Sequence, residues 1–323
     1  MTQSGSPTAQ ASSEAPEVSV VVPLGSRYEE LGAICRGLRE VLAGRVKGHE
    51  VVFVDDSGTA ETRQALRQAA ERFPEVRVIR LQRRMGEAAA LAIGAGSARG
   101  GVLITLDPYL HVAIEELPKL LEPLQEGMDL VCAWRWPRHE GGLSGLASGW
   151  FNAAARWLTG VQVHDLNCRT RVLRRGVIED LPLYGDLHRF LPIFAARRGY
   201  RWCEVQVPQQ AGKHEVGARD VRSYVGRLLD LLTLAFLTRF VKRPLHLFGL
   251  IGLASFLSGL VIALHLAYTR LILDQAIGHR PMLLLAVLLI VVGIQVASVG
   301  LLGELMVFTH ARDLKDYVVK EEA

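Results

Sequence analysis

The chain has 323 residues, 50% of them hydrophobic, only 7% aromatic, and a formal net charge of +4. That length holds one soluble domain of about 200–250 residues and leaves a remainder, visible after Pro244 where apolar residues accumulate. Arg219, Arg222, Arg227, Arg239, Lys242 and Arg243 cluster just before it, a pattern suited to an anionic membrane surface; no aromatic or Gly-rich nucleic-acid motif accompanies it, which argues against a nucleic-acid partner.

Residues 1–16 are rich in Ser, Ala, Thr and Gln, with neither a basic start nor an apolar core. They read as a disordered tail and not as a signal peptide. Val18–Pro23 is a buried strand, and Tyr28–Leu42 has helical apolar spacing at Leu31, Ile34, Leu38 and Val41. Val51–Val54 is a β-branched and aromatic run without polar interruption, as in a parallel strand buried on both faces. Asp55 and Asp56 follow at its carboxyl end, then the turn residues Ser57, Gly58 and Thr59. Ligands of open α/β sheets bind at the carboxyl ends of strands, so this turn marks the edge of a site; the plainer alternative is that the two aspartates cap the next helix.

That helix is predicted over Ala60–Arg72, followed by strand Val76–Leu81 and a helix from Gly86 to Arg99 that is small on one face for close packing on the sheet. Strand Val102–Leu106 ends at Asp107, helix Ala113–Leu124 follows, and then strand Asp129–Ala133. The alternation predicts an α/β fold, a doubly wound, mostly parallel sheet with right-handed crossovers. No GxGxxG or Walker motif follows any strand, which removes the main support for dinucleotide and P-loop readings. Gly141–Gly160 is helical in pattern. HDLNCRTRVLRR (His164–Arg175), a helix near Leu187–Arg197, strand Arg201–Val207 and a polar loop Gln209–Asp220 complete the domain. The four cysteines, Cys35, Cys132, Cys168 and Cys203, lack paired spacing and read as reduced thiols.

Val221–Phe240 is amphipathic, suited either to a core or to the membrane interface, its position favouring the latter. Leu245–Tyr268 has no Asp, Glu, Lys or Arg, and Met282–Phe308 carries only Glu304. At about 1.5 Å per residue each crosses a hydrocarbon core of about 30 Å. The basic cluster before the first span, with Arg312, Lys315 and Lys320 after the second, outnumbers Arg270 and Arg280 between them. The positive-inside rule puts the domain and both termini in the cytoplasm of a multi-pass inner-membrane protein. The division expected is a tail at 1–16, a catalytic domain at 17–218, a juxtamembrane helix at 219–243, two spans at 244–309 and a cytoplasmic tail at 310–323.

These residues together resemble the inverting glycosyltransferases of family 2, in the polyprenyl-phosphate, dolichol-phosphate-mannose-synthase-like branch. The resemblance rests on the strand ending in Pro23, the VDDS turn, Arg83 and Gly86 of RxxG, Asp107 at a strand end, Arg135 with Arg138, and DLNC at Asp165–Cys168. LHRFLP at Leu187–Pro192, GYRWCEVQV at Gly199–Val207, the LLDLL, FLTRF and RPLHLFG passages, and Gly303–Glu304 in the second span extend it to the end of the chain. It implies a GT-A fold followed by an interfacial helix and two transmembrane helices, a nucleotide-sugar donor and a polyprenyl phosphate acceptor.

By the same resemblance Pro23, Asp55, Asp56, Arg83 and Gly86 face the donor, with the paired aspartates at base and ribose. Asp107 would hold a divalent metal on the donor diphosphate, and Asp165 would lie beside the acceptor as the second catalytic carboxylate. Arg135, Arg138, Arg189 and Lys213 would hold the lipid phosphate, arginine being suited to bidentate phosphate contact. On the plainer side, Asp165 pairs with Arg169 or Arg171, and His188 and Arg189 brace a helix. A homo-oligomer is compatible with the sequence, which does not specify its order.

The chain departs from the family pattern at the chemistry. Ser26-Arg27 replaces Asn-Glu after the first strand, and Ala60 replaces the last aspartate of GSxD. Arg84 replaces the Asn before the RxxG glycine, and Arg169-Thr170 replaces GF after DLNC. The DxD metal motif reads Asp107-Pro108-Tyr109, leaving Asp107 and His111 as a thin site for Mg²⁺ or Mn²⁺. The lipid-phosphate motif His-x-Pro-Arg reads Gln209-Gln210-Ala211-Gly212, with Lys213 nearby. Three readings follow: an active transferase with weakened metal use, an active transferase in which Arg84, Arg169 and Arg171 replace the metal, and a catalytically degenerate relative that binds a lipid, a nucleotide or a partner.

Overall fold

The computed structural model describes residues 15–25, 28, 30–137, 153–181, 185–210, 233–234, 244–272 and 281–310. The chain divides into two compact units, one holding the sheet and the other the two C-terminal helices. In the first, β1 (Val18–Leu24), α1 (Leu31–Leu42), β2 (His49–Asp55), α2 (Ala60–Arg72), β3 (Val76–Arg80), α3 (Glu87–Ser97) and β4 (Val102–Thr105) alternate as the apolar patterning predicts. A single 3₁₀ turn, Ile114–Glu116, leads into α4 (Leu117–Gln125) and then β5 (Leu130–Arg135); residues 153–159 are helical (α5), the last three of them grouped with the second unit. β6 (Arg171–Arg174), α6 (Arg175–Asp180), a 3₁₀ segment Gly185–Phe190, α7 (Leu191–Arg198) and β7 (Trp202–Val207) complete the unit.

The seven strands lie in the order β3-β2-β1-β4-β6-β5-β7. β1, β2, β3 and β4 are mutually parallel, β5 pairs parallel with β7, and β6 runs antiparallel to β4 and β5 on either side. The apolar runs are continuous because each strand serves both faces. Val51 and Phe53 join the core under α1, α2 and α4, whereas Val52 and Val54 join the core under α3, α6 and α7. The small face of α3 is explained by contact distance: a Cβ on Gly94 would stand 2.5 Å from a Val21 methyl and 2.8 Å from a Val54 methyl.

The structure corrects the sequence reading in four places. The first helix begins at Leu31 and not at Tyr28, and the helix expected from Ala113 begins as a 3₁₀ turn before Leu117, Pro118 occupying its first turn. The HDLNCRTRVLRR stretch contains a central strand, β6, and leads into a helix, α6, neither of which its composition announces. β5 also runs two residues beyond Ala133, because Trp134 and Arg135 pair with Gln206 and Val207 of β7. All four cysteines are free thiols. The N-terminal tail, most of Gly141–Gly160, most of Gln209–Asp220, nearly all of the amphipathic Val221–Phe240 segment and the loop between the spans lie outside the described residues.

The second unit contains α8 (Pro244–Leu271) and α9 (Pro281–His310), each long and apolar enough to cross a membrane, with mean hydropathies of 2.4 and 2.8. These are not core helices of a soluble protein: Leu250, Leu253, Leu284 and Phe308 are all more than half exposed, an outer surface that suits lipid.

Candidate active site

The carboxyl ends of β1, β2 and β4 converge, since the parallel register sets Leu24 beside Asp55 and Val21 beside Thr105. Asp55 is fully buried; its Oδ1 accepts from the backbone N–H of Ser57 at 3.0 Å and from the Ser57 hydroxyl at 2.6 Å, closing the turn. Its Oδ2 faces Arg80 Nε at 3.8 Å and has no hydrogen bond among the described residues, a buried acceptor still available to a donor N–H.

Asp56 does different work. Its Oδ1 accepts from Met85 N–H at 2.7 Å and its Oδ2 from Gly86 N–H at 3.0 Å, so one carboxylate clamps the backbone that opens α3. Gly86 has φ +89°, a left-handed backbone that glycine tolerates, and caps that helix. Neither aspartate caps α2, as the plainer expectation had it: Thr59 does so, its hydroxyl accepting from Thr62 N–H at 3.2 Å. Replacing Asp56 with Ala orphans two N–H groups at the start of α3 and is expected to cost about 1–2 kcal/mol, with Asn recovering part of it. A thermal melt of the purified protein checks this, and an unchanged Asp56→Ala midpoint would count against the clamp.

Asp107 is buried just past β4. Its Oδ1 accepts from Tyr109 N–H at 3.0 Å, and its Oδ2 meets His111 Nδ1 in a short contact across the turn made by Leu110, which has φ +52°. Burial pushes its carboxyl upward, but the His111 hydrogen bond and charge, the Tyr109 N–H and Arg169 outweigh burial and hold it below the usual carboxylate range. Both oxygens are therefore engaged, and the described residues bring no third His, Cys, Asp or Glu to the pair. At a nucleotide site a hard divalent cation takes one or two carboxylates together with phosphate oxygens and water. Here the pair offers a single carboxylate with both oxygens already bonded and an imidazole nitrogen that is itself held by that carboxylate, a donor set that does not fit one.

Beside Asp107 lies a cleft lined by Pro23, Asp56, Glu87, Pro108, Tyr109 and Arg169. Glu87, in the first turn of α3, was not singled out by sequence. It forms an ion pair with Arg169 Nε at 2.9 Å and lies 3.9 Å from His188 Nε2. Burial, reinforced by Asp107, pushes the Glu87 carboxyl up against the opposing charges of Arg169, Arg189 and Arg171. Of the donor-side residues, Arg83 is exposed, while its neighbour Arg84 donates Nε–H to the Ser57 carbonyl at 3.0 Å.

On the other flank, Asp165 pairs with neither Arg169 nor Arg171. Arg135 donates Nε–H to its Oδ2 at 2.7 Å and Nη2–H to its Oδ1 at 3.0 Å, and both side chains are buried. Glu204, a second residue that the sequence did not flag, accepts from the backbone N–H groups of His164 and Asp165, and His164 stacks on Trp134 with centroids 4.3 Å apart. Arg171 is buried and donates to the carbonyls of Leu166, His188 and Arg189, which fixes the 3₁₀ segment carrying His188 and Arg189. Arg138 and Lys213 lie outside the described residues. Expected as donor-side groups, Pro23, Asp55, Asp56 and Gly86 gather at the strand ends; Arg135 and Asp165 meet each other on the opposite flank.

Residues 19–181 match the family described as Glycosyl transferase family 2. Among curated relatives, the chain is 30% identical over 312 residues to a dodecaprenyl-phosphate galacturonate synthase of Rhizobium johnstonii, covering 94% of this chain and 92% of the relative. It is 32% identical over 289 residues to an undecaprenyl-phosphate 4-deoxy-4-formamido-L-arabinose transferase of Pseudomonas aeruginosa, covering 89% and 84%. Among solved structures, glucosyl-3-phosphoglycerate synthase from Mycobacterium tuberculosis, in complex with Mn²⁺, uridine-diphosphate and glucosyl-3-phosphoglycerate, superposes with a TM-score of 0.53 at 18% identity over 69% of this chain and 80% of that one. That likeness establishes the GT-A-like fold.

Proposed function

This chain belongs to glycosyl transferase family 2, and from that premise we propose that it is a membrane-bound inverting transferase moving a sugar from a nucleotide-sugar to a polyprenyl phosphate. The observation that carries the reading is the match of 94% and 89% of the chain with two relatives whose names both specify a polyprenyl phosphate. The apolar hairpin is consistent with a lipid acceptor, and the distribution of arginine and lysine supports a cytoplasmic domain with both termini on that side.

In this reading an oxygen of the lipid phosphate forms the new bond to the anomeric carbon from the face opposite the departing diphosphate, which takes the electron pair of the broken bond. The phosphate is already ionised and needs no general base. Asp165, paired with Arg135, therefore positions the acceptor flank, and phosphate contact falls to Arg138, Arg189 and Lys213, with Arg135 aligned by its carboxylate partner. The open Oδ2 of Asp55 suits an N–H of the base, Asp56 and Gly86 shape the ribose side, and Asp107 fixes the turn that brings Pro108 and Tyr109 to the cleft.

The test is transfer of label from UDP-, GDP- and dTDP-sugars to undecaprenyl phosphate in membranes containing the protein, with and without Mn²⁺. One donor is expected to yield product, and Asp107→Ala to lower turnover about 100-fold, the scale on which misplacing a site by 1 Å acts. Tyr109 at the second metal position favours one other reading, a degenerate relative that binds without turning over; absence of product from every donor, with the protein folded and inserted, would support it.

A further inference from the structure

Resting on the reading above, we propose that Arg169 is the counter-charge to the donor's diphosphate, standing in for the metal that Asp107 and His111 do not fit, and that Glu87 holds its guanidinium at the cleft until the donor replaces it. Of the three arginines that depart from or flank the family motifs, the structure engages two elsewhere. Arg171 is buried under three backbone carbonyls, and Arg84 is tied to the Ser57 carbonyl. Arg169 alone of the three lines the cleft, together with Asp56, Pro108 and Tyr109.

Its side chain is 34% exposed and that of its partner Glu87 is 27% exposed, so the pair opens to the cleft and is accessible to a ligand. Only Nε is engaged, on Glu87 at 2.9 Å; the terminal nitrogens make no hydrogen bond among the described residues. A guanidinium presents a planar fork that fits two phosphate oxygens, and a diphosphate offers more negative charge to it than one carboxylate. When the bond from the anomeric carbon to the diphosphate breaks, the electron pair stays on the diphosphate, and a fixed cation there stabilises the charge as it develops. The Glu87 carboxylate also offsets the partial desolvation of Arg169, whose side chain is 34% exposed.

The test is calorimetric titration of the full-length protein in nanodiscs with UDP, GDP, dTDP and the corresponding nucleosides, in EDTA and in Mn²⁺. One nucleoside diphosphate is expected to bind wild type in EDTA. Arg169→Ala should weaken it about 10- to 100-fold, the loss expected for one charge-assisted contact, and leave the nucleoside within about 3-fold, since a nucleoside carries no phosphate for Arg169 to contact. Arg169→Lys should fall between, and Glu87→Gln should bind at least as tightly as wild type. The Tyr109→Asp/Arg169→Gly double variant should bind only when Mn²⁺ is supplied. Diphosphate binding unchanged in Arg169→Ala and Arg169→Lys, or wild-type binding that EDTA abolishes and Mn²⁺ restores, would overturn the assignment and leave the transferase reading standing. Wild type that binds none of the three diphosphates in either condition would overturn both.

Discussion

Asp165→Ala is expected to destabilise the sheet unit by about 3–5 kcal/mol, the cost of leaving one partner of a buried ion pair behind. The magnitude follows from what remains: Arg135 is 4% exposed, and two of its donors would lose a carboxylate that they now reach at 2.7 and 3.0 Å. Neither charge has an ordinary route to water, so the guanidinium cannot recover its hydration in place. The pair also ties together chain segments far apart in sequence, the end of β5 and the loop before β6, and the backbone N–H of Asp165 is held in turn by Glu204 of β7. For a unit of this size each kcal/mol moves a melting midpoint by about 2–4 °C, so a drop of roughly 6–20 °C is expected. The matched control is Arg135→Met with Asp165→Leu, which removes both charges and should recover much of that loss, because the desolvation cost disappears with the attraction. A single-variant shift below about 1 kcal/mol would mean that the pair is hydrated and contributes little. The double variant separates fold from function: with stability recovered, any remaining loss of transfer belongs to the acceptor flank.

That pair also shows where the sequence stops being readable. β1 to β4 and the helices between them announce themselves because a strand buried on both faces must be apolar at every position, and Leu31, Ile34, Leu38 and Leu42 recur at the helical period. The two spans are legible for the same reason, lipid demanding uninterrupted apolar sequence. β6 is not, because only Val172 and Leu173 of its four residues are apolar and both ends are arginine. The structure makes room for Arg171 by supplying backbone carbonyls as its acceptors, and no local pattern encodes carbonyls that come from the turn at residues 188–189. The site divides likewise. Asp55, Asp56 and Asp107 were legible as carboxylates at strand ends, a property of local sequence. Their individual duties were not, since the clamp by Asp56 depends on Met85 and Gly86. Glu87 with Arg169, Glu204 with His164, and Arg135 with Asp165 are all long-range pairs. The one local signal that could have found Glu87 is its place directly after the RxxG glycine, in the first turn of a helix starting at the site.

Gly252→Leu is expected to part the two membrane helices while leaving each of them inserted. A Cβ on Gly252 would stand 2.6 Å from the carbonyl oxygen of Gly293, and one on Gly293 would stand 2.7 Å from that of Gly252. One Cβ on Gly259 would meet the Ala286 carbonyl at 2.8 Å. The obstacles are backbone on both sides, so no rotamer relieves them. Between helices in lipid there is no hydrophobic gain to offset a lost contact, and association rests on close van der Waals approach and interhelical hydrogen bonds such as Ser255 Oγ–H to the Leu289 carbonyl at 3.0 Å. A leucine at Gly252 forfeits both along the central turns, at a cost of at least the 1–3 kcal/mol typical of overpacking, roughly. Insertion is governed by each helix's own hydropathy, 2.4 and 2.8, which leucine raises. Spin labels at Leu257 and Leu288, both on the outward surface, should therefore report a longer and broader distance distribution in Gly252→Leu than in wild type. Leu253→Val, the loss of one methylene on a lipid-facing residue 55% exposed, should leave the distribution in place and the stability in detergent within about 0.5 kcal/mol. An unchanged distance in Gly252→Leu would mean that the helices meet through another face. Equal loss in both variants would point to a bulk effect of lipid packing and remove the glycine contact as the cause.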